Sequence, residues 1–421
     1  MSTREKILSL VLQVILLVSI VGPTEAMERR RDQFIKEQGH YIIPMPYSLP
    51  GIGDGFLVAG TYNNAHDTHT DYIGFLLTGD LEGGGLVIKD VHLIHQTLIA
   101  DFSYQRITKG TVNNYNERGM SSGEDDYTLL DFADNDYGAV RFTATFYDRM
   151  VEANAGVLTG KGRLVRVRDR DGNIVQEADG TSGDDFTLYT LGLLFDWTDD
   201  YHDPRRGARY QVSRWWRDEN VAASSDYYQV EHNLTGYVPM GKRSTWAFNY
   251  FRSDAYVSRQ GDTDFSSVES RAGLNCSDPT LSADQQELCT TVVNSQVANN
   301  TYGTAAGLGG WSRLRSYPND RYKGAHVQFF GTEFRWNITE EFKPFNIGIA
   351  KDIRTGIQFA VFYERASVAD QKSDLGNIWR DSYGIGARMV TASGLVIRGD
   401  YATGDEGPEV SVIVGYPWES F

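Results

Sequence analysis

A short basic and aromatic segment, Leu314–Gly324 (LRSYPNDRYKG), contains three Arg or Lys and two Tyr within eleven residues. A planar guanidinium such as that of Arg315 can bind a carboxylate through two parallel hydrogen bonds. A tyrosine such as Tyr317 adds an apolar ring that carries a polar hydroxyl. The segment therefore suits a loop that binds carboxylates, although the same residue types also occur in loops that are simply solvated.

The stretches around this loop alternate apolar and polar residues, which is the period of a β-strand with two different faces. In TEFRWNIT, Phe334, Trp336 and Ile338 lie on one face, while Glu333 and Arg335 lie on the other. Similar alternation recurs along most of the chain, and helical periodicity is nearly absent. The chain is therefore predicted to be all-β.

Charged residues recur on the polar faces of the strands that follow the loop. In GIQFAVFYERA, Glu364 shares a face with Gln358 and Phe362, opposite Ile357 and Tyr363. The other predicted charges of this face are Glu333, Arg335, Arg388, Arg398 and Asp400.

Two architectures contain alternating strands of this kind. In a soluble sandwich the apolar face forms the core and the polar face is solvated. In a transmembrane barrel the apolar residues face lipid and the charged residues face a wet lumen. Long strands, Tyr and Trp near strand ends, and the terminal run EVSVIVGYPWESF favour the barrel. The mean hydropathy of −0.40 agrees, because only every second residue must contact lipid.

The composition excludes two other classes of protein. Beyond its first residues the chain contains no run of 18 or more apolar residues, which excludes a helical membrane bundle. The net charge is −16, and Lys and Arg are scattered among acidic residues, so no basic face is available for a phosphate backbone. We expect no nucleic-acid partner.

Sixteen strands are predicted, an even number, as in bacterial single-chain barrels. They span residues 55–62, 72–78, 86–93, 97–107, 126–132, 139–149, 162–168, 187–197, 208–216, 226–239, 244–258, 332–339, 357–367, 382–392, 395–403 and 409–418. The barrel domain is thus placed at 55–421. Within it, residues 261–323 are too long for a simple hairpin and are expected to be functional or separately folded.

The first 26 residues have the layout of a secretory signal peptide. Arg4 and Lys6 precede an apolar stretch, Ile7–Val21, and a small-residue cleavage site follows it. A membrane anchor is the alternative, but about 15 apolar residues are short for a span. Residues 27–54 are predicted to form a short periplasmic segment before the barrel.

The two cysteines, Cys276 and Cys289, lie in one polar segment of the long loop. In an oxidising compartment, such a pair is most simply a disulfide that closes a short loop. A metal site would need further His or Cys nearby in the sequence, so no metal and no cofactor are expected.

Three stretches resemble motifs of one known family. LGGWSRLRSYPNDRYKG, followed by TEFRW, resembles the sixth-loop signature of the BamA/TamA superfamily of outer-membrane barrels (bacterial surface antigen family), with Arg315, Ser316 and Tyr317 at its core. FYERA resembles the family's next wall motif, with Phe362 and Glu364 at the aromatic and acidic positions. The resemblance extends over roughly the last 235 residues, in which FDWTDDYHDPRRG matches a third motif at Asp196, Asp199, Pro204 and Gly207.

The resemblance implies that the long sixth extracellular loop folds into the lumen and that its Arg315 pairs with Glu364 on the wall. The loop would then be a plug and brace inside an acidic lumen. It also implies periplasmic POTRA modules in full-length relatives, each of roughly 75 residues, whereas residues 27–54 leave no room for one. Recruitment of clients by such modules is therefore not expected here.

Two functions follow from these features. In the first, the barrel assists insertion or translocation of proteins or lipids through a weak seam between its first and last strands, with Gly415 and Pro417 weakening the last strand. The alternative is a passive or selective pore, or a lipid-export barrel, lined by the inward charges. Both readings predict a monomer in the bacterial outer membrane, in contact with lipids and lipopolysaccharide. The first adds unfolded outer-membrane or secreted proteins as clients.

No enzymatic activity is predicted. His92 and His95 are three positions apart, so strict strand alternation would place them on opposite faces. The chain also contains no His-Glu-x-x-His motif.

Overall fold

Strands with two different faces account for most of the computed structural model. The structure describes residues 33–34, 38–177, 183–217, 224–271, 274–339, 345–347, 350–353, 355–391 and 396–418. The predicted signal peptide at 1–26 lies outside these residues. The strands are β1 Gly39–Leu49, β2 Gly53–Asn63, β3 Asp71–Gly79, β4 Glu82–Ile94, β5 Leu98–Tyr115, β6 Tyr127–Phe146, β7 Val151–Arg168, β8 Ile174–Glu177, β9 Gly183–Thr198, β10 Gly207–Arg217, β11 Asp226–Pro239, β12 Ser244–Arg259, β13 His326–Asn337, β14 Phe345–Ile347, β15 Ala350–Ile353, β16 Thr355–Ala369, β17 Arg380–Thr391, β18 Val396–Gly404 and β19 Gly407–Val414.

Sixteen of these strands form one closed antiparallel barrel, which confirms the predicted fold class and strand number. Each strand pairs with its neighbours along the chain, and β19 meets β1 to close the ring. Of the remaining three, β8 extends the edge of β7, while β14 and β15 form a separate small hairpin. Cα atoms of β15 come within 8 Å of those of β1.

The predicted number of strands is correct only because two errors in the individual strands cancel. The structure forms β1 inside residues 27–54, the segment that was expected to precede the barrel. It also merges the predicted strands 126–132 and 139–149 into the single strand β6. The residues between those two predictions look like a turn, but register shifts near Asp131–Asp136 accommodate them within one strand.

The two faces of the barrel differ as the alternation predicts. Phe334 and Trp336 on β13 are exposed on the outside, whereas Glu333 and Arg335 between them are buried. On the other side of the ring, Leu76 of β3 is 65% exposed. The barrel therefore has an apolar outer face and a polar inner face.

The connection between β12 and β13 is the sixth one at its end of the barrel, and it contains the only two α-helices of the described residues, α1 (Phe265–Arg271) and α2 (Ala283–Tyr302). Ser282 caps α2 and forms a capping box with Gln285. The predicted disulfide between Cys276 and Cys289 is present and joins the segment before α2 to α2 itself. No helix of the described residues is long and apolar enough to cross a bilayer.

The closure between β1 and β19 is much thinner than the other strand contacts. Its strand ladder consists of one residue pair, Ser48 with Val412, and Ser48 Oγ also donates to the carbonyl of Val410 at 3.0 Å. In contrast, β1 and β2 pair at every position of β1. Two prolines, Pro44 and Pro46, lie within β1. Proline has no amide hydrogen for a strand ladder and is confined to edge strands, so β1 has the sequence of an edge.

Candidate functional site: a buried ionic centre beside the strand seam

The guanidinium of Arg315 is buried and bound by carboxylates from three strands. Its Nε donates to Glu364 on β16 at 2.9 Å, and its Nη1 donates to Asp400 on β18 at 2.9 Å. Its Nη2 donates to Glu333 on β13 at 3.2 Å. The ring of Phe362 lies 3.4 Å from the guanidinium carbon. The Arg315–Glu364 pair expected from the sequence is thus present and belongs to a larger network.

The network contains seven charged side chains, here called the ionic centre, each at most 2% exposed. Its members are Arg315, Glu333, Arg335, Glu364, Arg388, Arg398 and Asp400. Arg335 donates to Glu333 at 2.7 Å, and Arg388 binds the same carboxylate. Arg398 donates to Asp400 at 2.8 Å. The ionic centre contains four guanidinium groups and three carboxylates. The expectation of an acidic lumen is therefore wrong for this part of the interior.

Burial makes each of these charges dependent on its partners. A buried charge whose partner is removed costs several kcal/mol, because water no longer solvates it. The pKa of Arg315 remains raised, since Glu364, Asp400 and Glu333 outweigh the loss of solvation that lowers it. The ionic centre can therefore hold the loop in one position as long as every partner is present.

The residue before Arg315 in the loop has an uncommon backbone conformation. Leu314 has a left-handed φ of 55° and a fully buried side chain. Ser316 is not among the described residues with positive φ. Its amide donates to Ser382 Oγ at 3.0 Å. The left-handed turn thus lies one residue before Arg315, and a serine is compatible with the position after it.

Tyr317 is buried next to the loop's second anchor. Its hydroxyl donates to the carbonyl of Asp381 at 3.2 Å, and its ring meets that of Tyr322 edge-on at 5.4 Å. Burial raises the pKa of Tyr317 to about 12. The second anchor is Arg321, which donates to Glu406 at 2.7 and 2.9 Å.

The same loop contacts both sides of the seam. Glu406, the partner of Arg321, lies in the turn between β18 and β19. Two residues earlier in the loop, the Asn319 amide donates to the carbonyl of Pro50, in the turn between β1 and β2, at 2.8 Å. We call these two contacts the clasp. The clasp bridges the hairpins that meet at the weakest strand pairing of the barrel.

The chain end beyond β19 turns inside the barrel and reaches the ionic centre. Trp418 is 1% exposed, and its Nε1 donates to Glu364 Oε1 at 2.8 Å. Its carbonyl accepts from Asn233 at 2.7 Å and from Arg313 at 3.2 Å. Gly331 on β13 pairs with Glu364 on β16 and leaves room for the indole. A Cβ atom at position 331 would lie 2.7 Å from the indole ring.

Tyr416 forms a second contact of this tail. Its hydroxyl donates to Asp203, in the turn between β9 and β10, at 2.6 Å. The predicted seam residues, Gly415 and Pro417, therefore lie in the inward-turning tail and not in the last strand, which ends at Val414. Gly415 has a φ of 113°, which permits the change of direction.

The third family-like motif forms that same turn. Asp199 accepts from the amides of Arg205 and Arg206 at 2.8 and 3.0 Å. Asp196, at the end of β9, accepts from Thr198 and Arg209. These hydrogen bonds fix the conformation of the turn that contains Asp203, the residue that binds Tyr416 of the tail.

Several residues of the site were not found by sequence reasoning. Trp418, Arg321 and Glu406 make contacts between distant parts of the chain, which strand alternation does not report. The expectation that His92 and His95 face opposite sides is wrong, because His95 lies beyond the end of β4 and the strand is irregular near His92. Their rings lie 5.7 Å apart.

Fold and site together define a closed sixteen-stranded antiparallel β-barrel with an apolar outer face and a loop bound to a buried ionic centre. No protein-family model and no curated protein matches the chain. Among solved structures it is similar to BamA from Haemophilus ducreyi lacking POTRA domains 1–3, at 11% identity over 90% of this chain and 70% of that chain, with a TM-score of 0.47. It is also similar to CdiB from Escherichia coli, at 10% identity over 92% of this chain and 69% of that chain, with a TM-score of 0.49. At these identities and TM-scores, neither likeness supports a statement about function.

Proposed function

We propose that this protein is an outer-membrane barrel that assists insertion or translocation of other proteins, or of lipids, through the seam between β1 and β19. The observation that supports this most is the single residue pair, Ser48 with Val412, that joins these strands. The motifs shared with the BamA/TamA superfamily agree with the proposal. No enzymatic step is involved.

The first half of β1 is the edge that an incoming strand would use. Continuing the register of Ser48 and Val412 would place Gly415 opposite Met45. The tail from Gly415 instead turns inside, so β19 does not extend along Gly39–Met45. A strand edge that the neighbouring strand of the barrel does not cover can act as a template on which another strand pairs.

The loop has the role of a brace in this mechanism. Arg315 fixes it to β13, β16 and β18, and the clasp ties it to the hairpins on both sides of the seam. Opening the seam would strain the clasp first and then the contact of Trp418 with Glu364. The resting barrel is therefore held shut by contacts that are separate from the strand ladder.

The proposed surroundings follow from the outer face. Large apolar side chains such as Phe56, Leu76, Val361 and Ile385 are exposed there. In water this surface would be costly, whereas in a bilayer it contacts acyl chains. Outer-membrane lipids and lipopolysaccharide are the proposed neighbours, and unfolded outer-membrane or secreted proteins are the proposed clients.

A disulfide across the seam tests the proposal. Paired strand residues have Cα separations of about 4.5–5.5 Å, which a disulfide can span. Ser48→Cys with Val412→Cys would lock the seam. Ser103→Cys with Ala139→Cys would lock the extensively paired interface of β5 and β6 as a matched control.

The readout is the rate at which an unfolded outer-membrane barrel inserts into liposomes that contain each variant. We expect acceleration over empty liposomes, its loss in the oxidised seam variant, and its return on reduction. Wild-type protein under the same reductant controls for cleavage of the native Cys276–Cys289 bond. Equal rates for the oxidised seam and control variants would sink the proposal.

A further inference from the structure

Three histidines from two neighbouring turns converge at the end of the barrel where β1 begins. His69 lies in the turn between β2 and β3, His92 at the end of β4, and His95 in the turn between β4 and β5. Ring centroids are 4.8 Å apart for His69 and His92, 5.8 Å for His69 and His95, and 5.7 Å for His92 and His95. One ring nitrogen of each residue lies within 4.8 Å of those of the other two.

We propose that His69, His92 and His95 bind one divalent transition-metal ion of the zinc, copper or nickel type. Imidazole nitrogen is a preferred ligand of these metals. A tetrahedral site with metal–nitrogen bonds of about 2.0–2.1 Å holds its nitrogens about 3.3 Å apart. The three side chains would have to rotate to bring their nitrogens from within 4.8 Å of one another to this separation, and water would fill the fourth position.

His69 is half-buried, and the environment of one of its ring nitrogens supports a ligand in this place. Its Nδ1 is buried, and no hydrogen-bond partner for it is found among the described residues. Buried polar atoms in proteins nearly always have a partner. His69 also has a left-handed φ of 63°, which turns the residue away from the regular strand path. A metal ion would give this nitrogen the partner that it lacks.

The hydrogen bonding of His92 sets one requirement. The Gln96 amide donates to His92 Nδ1 at 3.2 Å. A metal bound at Nε2 requires the ring proton on Nδ1, so this long hydrogen bond must open when the metal binds. Phe34 packs edge-on against His92 at a centroid distance of 5.2 Å and shields one side of the cluster.

The consequence for the barrel is a cross-link between two turns that the strand ladder does not join directly. The ion would tie the β2–β3 turn to the β4–β5 turn, next to the segment that contains Phe34. This inference depends only on the cluster and stands whether or not the proposed insertion activity is found.

The test is zinc binding by the full chain, purified in detergent without a histidine tag. His69→Asn removes the imidazole and keeps a residue that tolerates left-handed φ. His95→Gln removes the second ligand. His66→Asn is the matched control, because His66 lies in the same turn with a similar φ of 53° and is outside the cluster.

We expect one zinc ion per chain by isothermal titration calorimetry, binding weakened by about tenfold or more in His69→Asn and His95→Gln, and no change in His66→Asn. Mg²⁺ should not bind, because it prefers oxygen ligands. Binding that is not saturable, or that both ligand variants retain, overturns the proposal. If a ligand variant fails to fold, wild-type protein decides alone: zinc must raise its unfolding temperature, and no rise refutes the site.

Discussion

Trp418 Nε1 donates to Glu364 Oε1 at 2.8 Å, and the same carboxylate oxygen accepts from Arg315 Nε at 2.9 Å. One carboxylate on β16 therefore joins the end of the chain to the long loop. Because Trp418 follows the seam strand β19 by four residues, the state of the seam and the position of the loop are physically linked.

Replacing Trp418 by Phe removes the indole donor but keeps an aromatic ring in the same space. We expect the free energy of unfolding to fall by about 1.5–3 kcal/mol, the usual contribution of a hydrogen bond to a charged group. Trp336→Phe is the control, because Trp336 is half exposed on the outer face. Urea titration in detergent gives both values, and equal losses in the two variants would contradict the link.

Replacing Arg315 by Ala leaves Glu364 buried without a guanidinium partner. The expected loss is about 3–5 kcal/mol of unfolding free energy. Arg365→Ala, next to Glu364 in sequence, removes an exposed pair with Asp381 and should cost about 1 kcal/mol or less. Adding Glu364→Gln to Arg315→Ala should recover part of the loss, because it removes the unpaired charge. A double variant with a lower free energy of unfolding than Arg315→Ala alone would contradict this account.

The strand pattern was predictable because alternation reports directly which side chains face outward. It failed where other residues interrupt the pattern. Pro44 and Pro46 obscure β1 in the sequence, since proline is expected to end a strand. They are acceptable there because β1 pairs with β19 at only one position. Asp134, with a left-handed φ of 53°, makes the middle of β6 resemble a turn.

The centre of the site was predictable only in part. Arg315 and Glu364 could be paired because a buried carboxylate needs a cation and a family motif pointed to both. Glu406 and Trp418 could not, because their contacts join residues that are far apart in the chain. A glycine within a strand, such as Gly331, indicates that something approaches the backbone closely, but the sequence does not indicate that the Trp418 indole does so.

The ionic centre should also limit ion flow through the barrel. Its side chains bind one another and are almost fully buried, so they do not line an open channel. We expect wild-type protein in planar bilayers to conduct little, and Arg315→Ala to conduct more because the loop is released. A large, steady conductance of the wild type would instead favour the alternative function of a passive pore.

The contact of Tyr416 with Asp203 predicts that the stability of the folded protein decreases at acidic pH. Burial alone would raise the pKa of Asp203. Arg205 and the Tyr416 hydroxyl lower this pKa by more than burial raises it, so it lies below the ordinary value of 3.8. A carboxylate with a lowered pKa stabilises the folded state above its unfolded pKa, and this stability is lost as the pH falls through the folded value. The wild type should therefore exceed Asp203→Asn in stability at neutral pH. The difference should shrink below about pH 4, and a difference that persists at lower pH would contradict the assignment.

The clasp should control how often the seam opens. Arg321→Met removes the ion pair with Glu406, one of the two contacts that hold the hairpins flanking β1 and β19. In a background of Ser48→Cys with Val412→Cys, we expect the seam disulfide to form more slowly, because the two strands spend less time together. Arg106→Met, which removes an exposed pair with Asp134, should leave that rate unchanged. If Arg321→Met also leaves the rate of disulfide formation unchanged, the loop does not hold the seam, and its contacts with the two hairpins serve only to fix the loop itself.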